Sequence, residues 1–164
     1  MRLFITGTPG TGKSTVSLAL KKAFSIDNAF EIKDLLIKFN LLEEYEPERD
    51  TTVFDDKSAI EKIQSFLKSK DNYILAGPPL AFEEIDFTCI IVLTCSKKLI
   101  LKERLSKRGY KNSKISENLE AELLGEILGE IMDTFSNKNK ILVLDSCKLS
   151  VQELITKIHD FLQK

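Results

Sequence analysis

The sequence predicts an α/β fold, a mostly parallel five-stranded sheet with helices on both faces, and three observations lead there. Five short apolar runs suited to strands alternate with segments of helical periodicity, and parallel neighbours need crossovers, which are usually helical. The run Cys89-Ile90-Ile91-Val92-Leu93 is apolar throughout, as expected of a strand covered on both faces. A glycine-rich turn, Gly7 to Ser14, separates the first strand from the first helix. It stands at the carboxyl end of a strand, where sheets of this kind take ligands.

Taken in order, Leu3-Phe4-Ile5 forms the first strand, and Ser14 to Phe24 carries Val16, Leu18, Ala19, Leu20 and Ala23 at helical spacing. Ala29 to Ile32 is a short second strand. Asp34 is placed to cap a helix running over Leu35, Leu36, Ile37 and Phe39. The acidic stretch 43–50, with Pro47, reads as a loop. Asp55 or Asp56 opens a helix whose core stripe is Ala59, Ile60, Ile63, Phe66 and Leu67.

Tyr73 to Ala76 is the third strand, stopped by Gly77-Pro78-Pro79, and Cys89 to Leu93 is the fourth. Ser96 is expected to cap a helix through Leu105. One long helix is expected from about Ser116 to Phe135, with Gly125 and Gly129 at a close helix crossing. Ile141 to Leu144 is the fifth strand, and Ser150-Val151-Gln152-Glu153 is a capping box for the last helix.

Length and composition set bounds. With 164 residues the chain has room for one domain, residues 1–164, with a real core. A net charge of −1 with 30% charged residues gives no overall bias toward nucleic acid or an anionic membrane. No apolar stretch approaches the ~20 residues of a membrane span, and strand-like sequence begins at residue 2, which leaves no room for a signal peptide. Cys89, Cys95 and Cys147 have no metal-ligand spacing and read as reduced, buried thiols. A soluble, cytoplasmic protein is expected, without a membrane partner.

The turn Gly7-Thr8-Pro9-Gly10-Thr11-Gly12-Lys13-Ser14 matches G-x-x-x-x-G-K-[ST], the P-loop, in its strand-loop-helix context. Gly7, Gly10 and Gly12 let the backbone close around an anion, so that N–H groups and the positive end of the helix face the β-phosphate of a nucleotide. Lys13 can reach the β- and γ-phosphates, Ser14 offers a hydroxyl to Mg²⁺, and Thr15 can donate to the α-phosphate. ATP with Mg²⁺ is the expected cofactor pair.

Two excursions from the strand-helix alternation bear on function, because a phosphoryl transferase must hold a second substrate and exclude water. Residues 34–54 are long enough for an acceptor-binding flap. Residues 102–114 hold Lys102, Arg104, Lys107, Arg108, Lys111 and Lys114 against the single acid Glu103. Arg104 and Arg108, four apart, share a helix face and can both reach phosphate when the segment closes. The alternative is a solvated basic face; the P-loop upstream favours a lid. Lys13, Arg104 and Arg108 are the catalytic candidates.

With these pieces in hand, the sequence resembles a small P-loop nucleoside monophosphate kinase, and within that class the adenylate kinase isoenzyme six family, whose members also assist maturation of the small ribosomal subunit. The resemblance rests on Thr6 to Ser14, on Asp34-Leu35 with Tyr45 to Asp50 and Asp55, and on Glu103-Arg104-Leu105-Ser106-Lys107-Arg108-Gly109-Tyr110 with Ile115 to Glu122. It implies a three-layer P-loop NTPase fold with helical acceptor-binding and lid insertions, at about residues 31–54 and 107–117. It also implies ATP as donor, a nucleoside monophosphate, above all AMP, as acceptor, and a small-subunit ribosomal protein and rRNA as partners. Arg108 would contact ATP from the lid, and the loop near Lys148 would lie by the adenine. Asp34, Lys38 and Arg49 are the acceptor-binding candidates.

Two departures stand out. The family usually ends its third strand with Asp-x-His, and this chain has Ala76-Gly77-Pro78. Asp55 or Asp86 could replace the absent acid; otherwise Ala76→Asp should lower the Mg²⁺ requirement. Where the family commonly carries an arginine after Asp34, this chain has Ile37 with Lys38 beside it, a charge without the bidentate fork. The one histidine, His159, reads as a surface residue of the last helix. An ATP-driven assembly factor with slow hydrolysis therefore stands beside the kinase as an alternative.

Overall fold

The computed structural model describes residues 1–46, 51–82 and 84–163. Its five-stranded sheet is parallel throughout and contains β1 (Arg2–Thr6), β2 (Asn28–Glu31), β5 (Tyr73–Ala76), β6 (Cys89–Thr94) and β7 (Ile141–Asp145). The spatial order is β2-β5-β1-β6-β7, so β1, which leads into the P-loop, is the middle strand.

Alternation along the strands sends side chains to two cores. Leu3 and Ile5 of β1, with Ala76 and Ile91, pack under α1 (Lys13–Ala23) and α7 (Val151–Leu162) through Val16, Leu20, Leu154 and Ile158. Phe4, Leu75, Ile90 and Val92 face the other way, onto α2 (Ile32–Lys38), α3 (Asp56–Leu67) and α6 (Glu126–Thr134). Burial on both faces is why β1, β5 and β6 read as uninterrupted apolar runs. A third, smaller cluster of Cys95, Leu101, Leu105 and Ile115 joins α4 (Lys98–Lys107) to α5 (Asn112–Leu124).

Several expectations are corrected. Residues 42–46 are a strand, β3 (Leu42–Glu46), paired antiparallel with β4 (Thr51–Phe54), so the acidic stretch begins as a ribbon and not as a loop. Glu31 stands at the N-cap of α2 and Asp34 lies inside its first turn. Lys97, not Ser96, precedes α4. The expected long helix is two: Gly125, at φ 67°, ends α5 and opens α6. Among the described residues, nothing lies within 4 Å of a Cβ added at Gly125 or Gly129, so no close helix crossing is made there among them. Asp55 does cap α3, accepting from the Ser58 N–H at 2.8 Å, and the Ser150–Glu153 capping box is formed.

Cys95 and Cys147 are paired as a disulfide, with Cα atoms 5.0 Å apart, against the expectation of three free thiols. The reason is register: β6 and β7 run parallel with Thr94 opposite Asp145, which brings the residues just beyond both strand ends together. Cys89 is free, and its burial pushes the thiol up to about 12. No helix among the described residues is long and apolar enough to cross a membrane.

Candidate functional site

The P-loop leaves β1 at Thr6 and returns as the first turn of α1, where Val16 N–H donates to Gly12 O at 3.0 Å. Gly7 has to be glycine on two counts. Its φ is 144°, and a Cβ there would lie 2.2 Å from the Leu93 carbonyl oxygen of β6. Thr11 ties the loop to itself, its hydroxyl donating to Thr8 O at 2.8 Å. The hydroxyl of Thr8 is buried without a hydrogen-bond partner among the described residues. Ser14 and Thr15 are exposed at the start of α1, where free N–H groups and the helix dipole favour an anion.

Lys13 folds back over the loop, its ammonium donating to Gly7 O at 2.6 Å and to Thr8 O at 3.2 Å. Burial, and after it the Arg108 guanidinium, pull its pKa from 10.5 to about 8, while Glu31 and Glu122 act in the opposite sense. The charges of Lys13 and Arg108 therefore meet at one mouth. Arg108 is exposed at the C-cap of α4.

Arg104, one turn earlier, is engaged. Its Nη1 donates to Gly10 O at 3.3 Å and to Ser146 Oγ at 3.4 Å, and its Nη2 donates to Ser146 O at 3.3 Å. Ser146 in turn donates to Thr94 O, from Oγ at 3.0 Å and from the backbone N–H at 2.8 Å. A cavity of about 530 Å³ opens between the P-loop, both arginines and the start of α7, lined in part by Thr15, Ser146 and Leu149. A nucleotide with phosphates on the P-loop has room there for its sugar and base.

The remaining candidates are scattered. Lys148 lies in the loop after β7, paired with Asp145 at 3.4 Å. Asp34 is exposed on α2. Lys38 holds its ammonium 4.3 Å from the centre of the Phe66 ring. Arg49 lies outside the described residues. Of the acids that could replace one at position 76, Asp86 pairs with Lys140 and with Arg2 at the start of β1, the far end of the sheet, and Asp55 is engaged in capping α3.

Three residues without an assigned role in the sequence reading belong to this site. Ser146 anchors Arg104. Glu122 accepts from the Cys95 N–H at 2.5 Å and holds the end of β6 while acting on Lys13. Glu31 acts on Lys13 from the end of β2. Glu122 stands in the Ala-Glu pair of the lid run, a usable signal; an acid at a strand end and a serine in a loop carry none.

Residues 3–125 match the family model of the AAA domain. A protein of Methanocaldococcus jannaschii named "Putative adenylate kinase" is 34% identical over 158 residues, 96% of this chain and 84% of its own length. One of the same name from Sulfurisphaera tokodaii is 35% identical over 155 residues, covering 94% and 80%. "Adenylate kinase isoenzyme 6 homolog FAP7" of Saccharomyces cerevisiae is 28% identical over 133 residues, covering 81% and 67%. Among solved structures, an uncharacterized protein from Eubacterium ventriosum superposes with a TM-score of 0.62 at 12% identity, covering 100% of this chain and 99% of that one, which is a likeness of fold alone.

Proposed function

This chain belongs to the AAA domain family, and from that premise we propose that it is an ATP-dependent nucleoside monophosphate kinase with AMP as acceptor. One observation carries the reading: Lys13, Arg104 and Arg108 converge on the P-loop at the mouth of a nucleotide-sized cavity. The names of the archaeal and yeast relatives support it.

In this reading the loop amides and Lys13 hold the β- and γ-phosphates, and Thr15 the α-phosphate. Gly7, Gly10 and Gly12 give the loop its closeness to phosphate. Leu149 and the neighbouring Lys148 flank the base. Arg108 swings in with the lid, residues 107–117, while Arg104 keeps the base of the lid on Gly10 and lends its charge to the transferring group. An oxygen of the acceptor phosphate attacks the γ-phosphorus in line, the bond from phosphorus to the β–γ bridging oxygen breaks, and ADP leaves with that electron pair. Asp34, in the insertion of residues 31–54, faces the acceptor, Lys38 joins it on leaving Phe66, and Arg49 is the further candidate to bind the acceptor. One domain, residues 1–164, in the cytoplasm, contains all of this.

The donor set suits a phosphate-bound Mg²⁺. Ser14 is exposed beside the phosphate cradle, and among the described residues no group of three or more His, Cys, Asp or Glu could hold a metal by itself. Such an ion would be bound mainly through phosphate and its own waters, with Ser14 Oγ as protein ligand, and would neutralise charge on the transferring group.

A specific observation favours a second reading. The strand beside β1 ends in buried Ala76 and Gly77, with no polar side chain. An ATP-dependent assembly factor with slow hydrolysis, acting on a small-subunit ribosomal protein and its rRNA, needs less catalytic power. Purified protein with ATP, Mg²⁺ and a panel of nucleoside monophosphates separates the two. Diphosphate formation that requires AMP is expected for the kinase, and phosphate release indifferent to every acceptor supports the assembly factor.

A further inference from the structure

The carboxylate that position 76 lacks has a counterpart one strand away. In the parallel register of β2 and β5, Glu31 lies opposite Ala76, and Ala76 in turn lies opposite Ile5 of β1. The three form one row across the sheet at the level where the P-loop begins. Ala76 and Ile5 face the core under α1 and α7, as does Ala29, two residues before Glu31. Phe30 and Leu75 face the opposite core. Alternation therefore brings the Glu31 side chain out on the face that α1 covers, and α1 opens with Lys13 and Ser14.

The turn that carries Glu31 is held tightly. The following residue, Ile32, is fully buried against Gly77, where an added Cβ would lie 2.6 Å from Ile32 Cβ. Glu31 itself is half-buried, and its charge reaches Lys13. Two acids act on Lys13, and they differ in commitment. Glu122 is bound to the Cys95 N–H. The Glu31 carboxylate is engaged in no hydrogen bond or ion pair among the described residues.

We infer that Glu31 supplies from β2 the carboxylate that orders the water shell of a Mg²⁺ ion on the nucleotide phosphates, in place of the acid absent at Ala76. The inference rests on the nucleotide-site reading above. Glu31 starts one strand spacing, about 4.8 Å, farther out than residue 76. The extra methylene of glutamate over aspartate, and a bridging water of an ion that keeps several of its own, cover that distance.

The test is calorimetric binding of ATP across a Mg²⁺ titration, including a metal-free arm, for the parent and Glu31→Gln. The Mg²⁺ concentration that half-restores tight binding should rise about tenfold or more in the variant, the usual scale for losing an outer-shell carboxylate. Metal-free affinity should not weaken. An unchanged Mg²⁺ midpoint overturns the inference. So does an equal loss with and without metal, which would make Glu31 a partner of Lys13 alone. If the parent binds no ATP in either arm, the nucleotide-site reading falls, and this inference with it.

Discussion

Arg104 donates to the Gly10 carbonyl at 3.3 Å across 94 positions of sequence, so α4 and the P-loop form one hydrogen-bonded unit. Its other two bonds go to Ser146. Arg104→Lys should therefore cost stability as well as turnover, because an ammonium cannot reproduce the planar fork. Losing two charge-assisted bonds at a part-buried site should remove about 2 kcal/mol from unfolding in urea. A denaturation midpoint equal to that of the parent would reduce Arg104 to a purely catalytic charge.

Lys13 gives a pH signature. Its pKa in the free protein, about 8, lies below the ordinary 10.5, and phosphate oxygens favour the charged form. ATP binding should thus take up protons: about half a proton per site at pH 8, and almost none at pH 6.5, where Lys13 is already charged. Affinity should accordingly fall as the pH rises above about 8. Calorimetry in buffers of different ionisation enthalpy reads the uptake, and Lys13→Ala should abolish it with most of the ATP affinity while leaving the fold intact. No uptake at pH 8 would show that the phosphates do not meet Lys13.

Arg108 is exposed and, among the described residues, makes no bond through its side chain that would compare with those of Arg104. Arg108→Ala should leave the melting temperature unchanged and lower kcat/KM by about 2–4 kcal/mol in transition-state terms, the range for a preorganised charge donor. Unaltered kinetics would mark the segment as a solvated basic face.

The surroundings of position 76 add a stability cost to the substitution that the sequence suggests. Ala76 is fully buried, with Ile5 beside it in register and Ile74 in the same cluster. A carboxylate placed there is desolvated before it can serve a cation, so Ala76→Asp should cost about 2–4 kcal/mol of stability in nucleotide-free protein. Thermal unfolding measures this. A variant as stable as the parent, with a lower Mg²⁺ requirement, would restore the simpler expectation.

Much of this fold is legible in the chain, and the reason is burial. The strands at Arg2–Thr6 and Cys89–Thr94 are apolar runs because both faces are covered, and the P-loop announces itself because its spacing is dictated by phosphate geometry. What stays hidden depends on register and on single residues. The leucines and isoleucines of α5 and α6 keep their spacing straight through Gly125, so periodicity alone joins two helices into one. Nothing in the spacing of Cys95 and Cys147 reveals that they meet; the pairing of β6 with β7 does that. Glu31 is equally mute until it is seen in one row with Ala76. Lys38 shows the converse, a charge in a suggestive place that lies over an aromatic ring.

The middle position of β1 has a kinetic meaning. Its backbone is bonded to β5 on one side and β6 on the other, so its amides can reach solvent only when the sheet comes apart. In hydrogen–deuterium exchange, Leu3 to Ile5 should be among the last to label, at the rate of global unfolding. Asn28 to Glu31, on an outer strand paired only with β5, should label earlier, through smaller openings. The lysine proposed to grip phosphate is thus tethered to the slowest part of the molecule, and the acid proposed to serve the cation to a faster one.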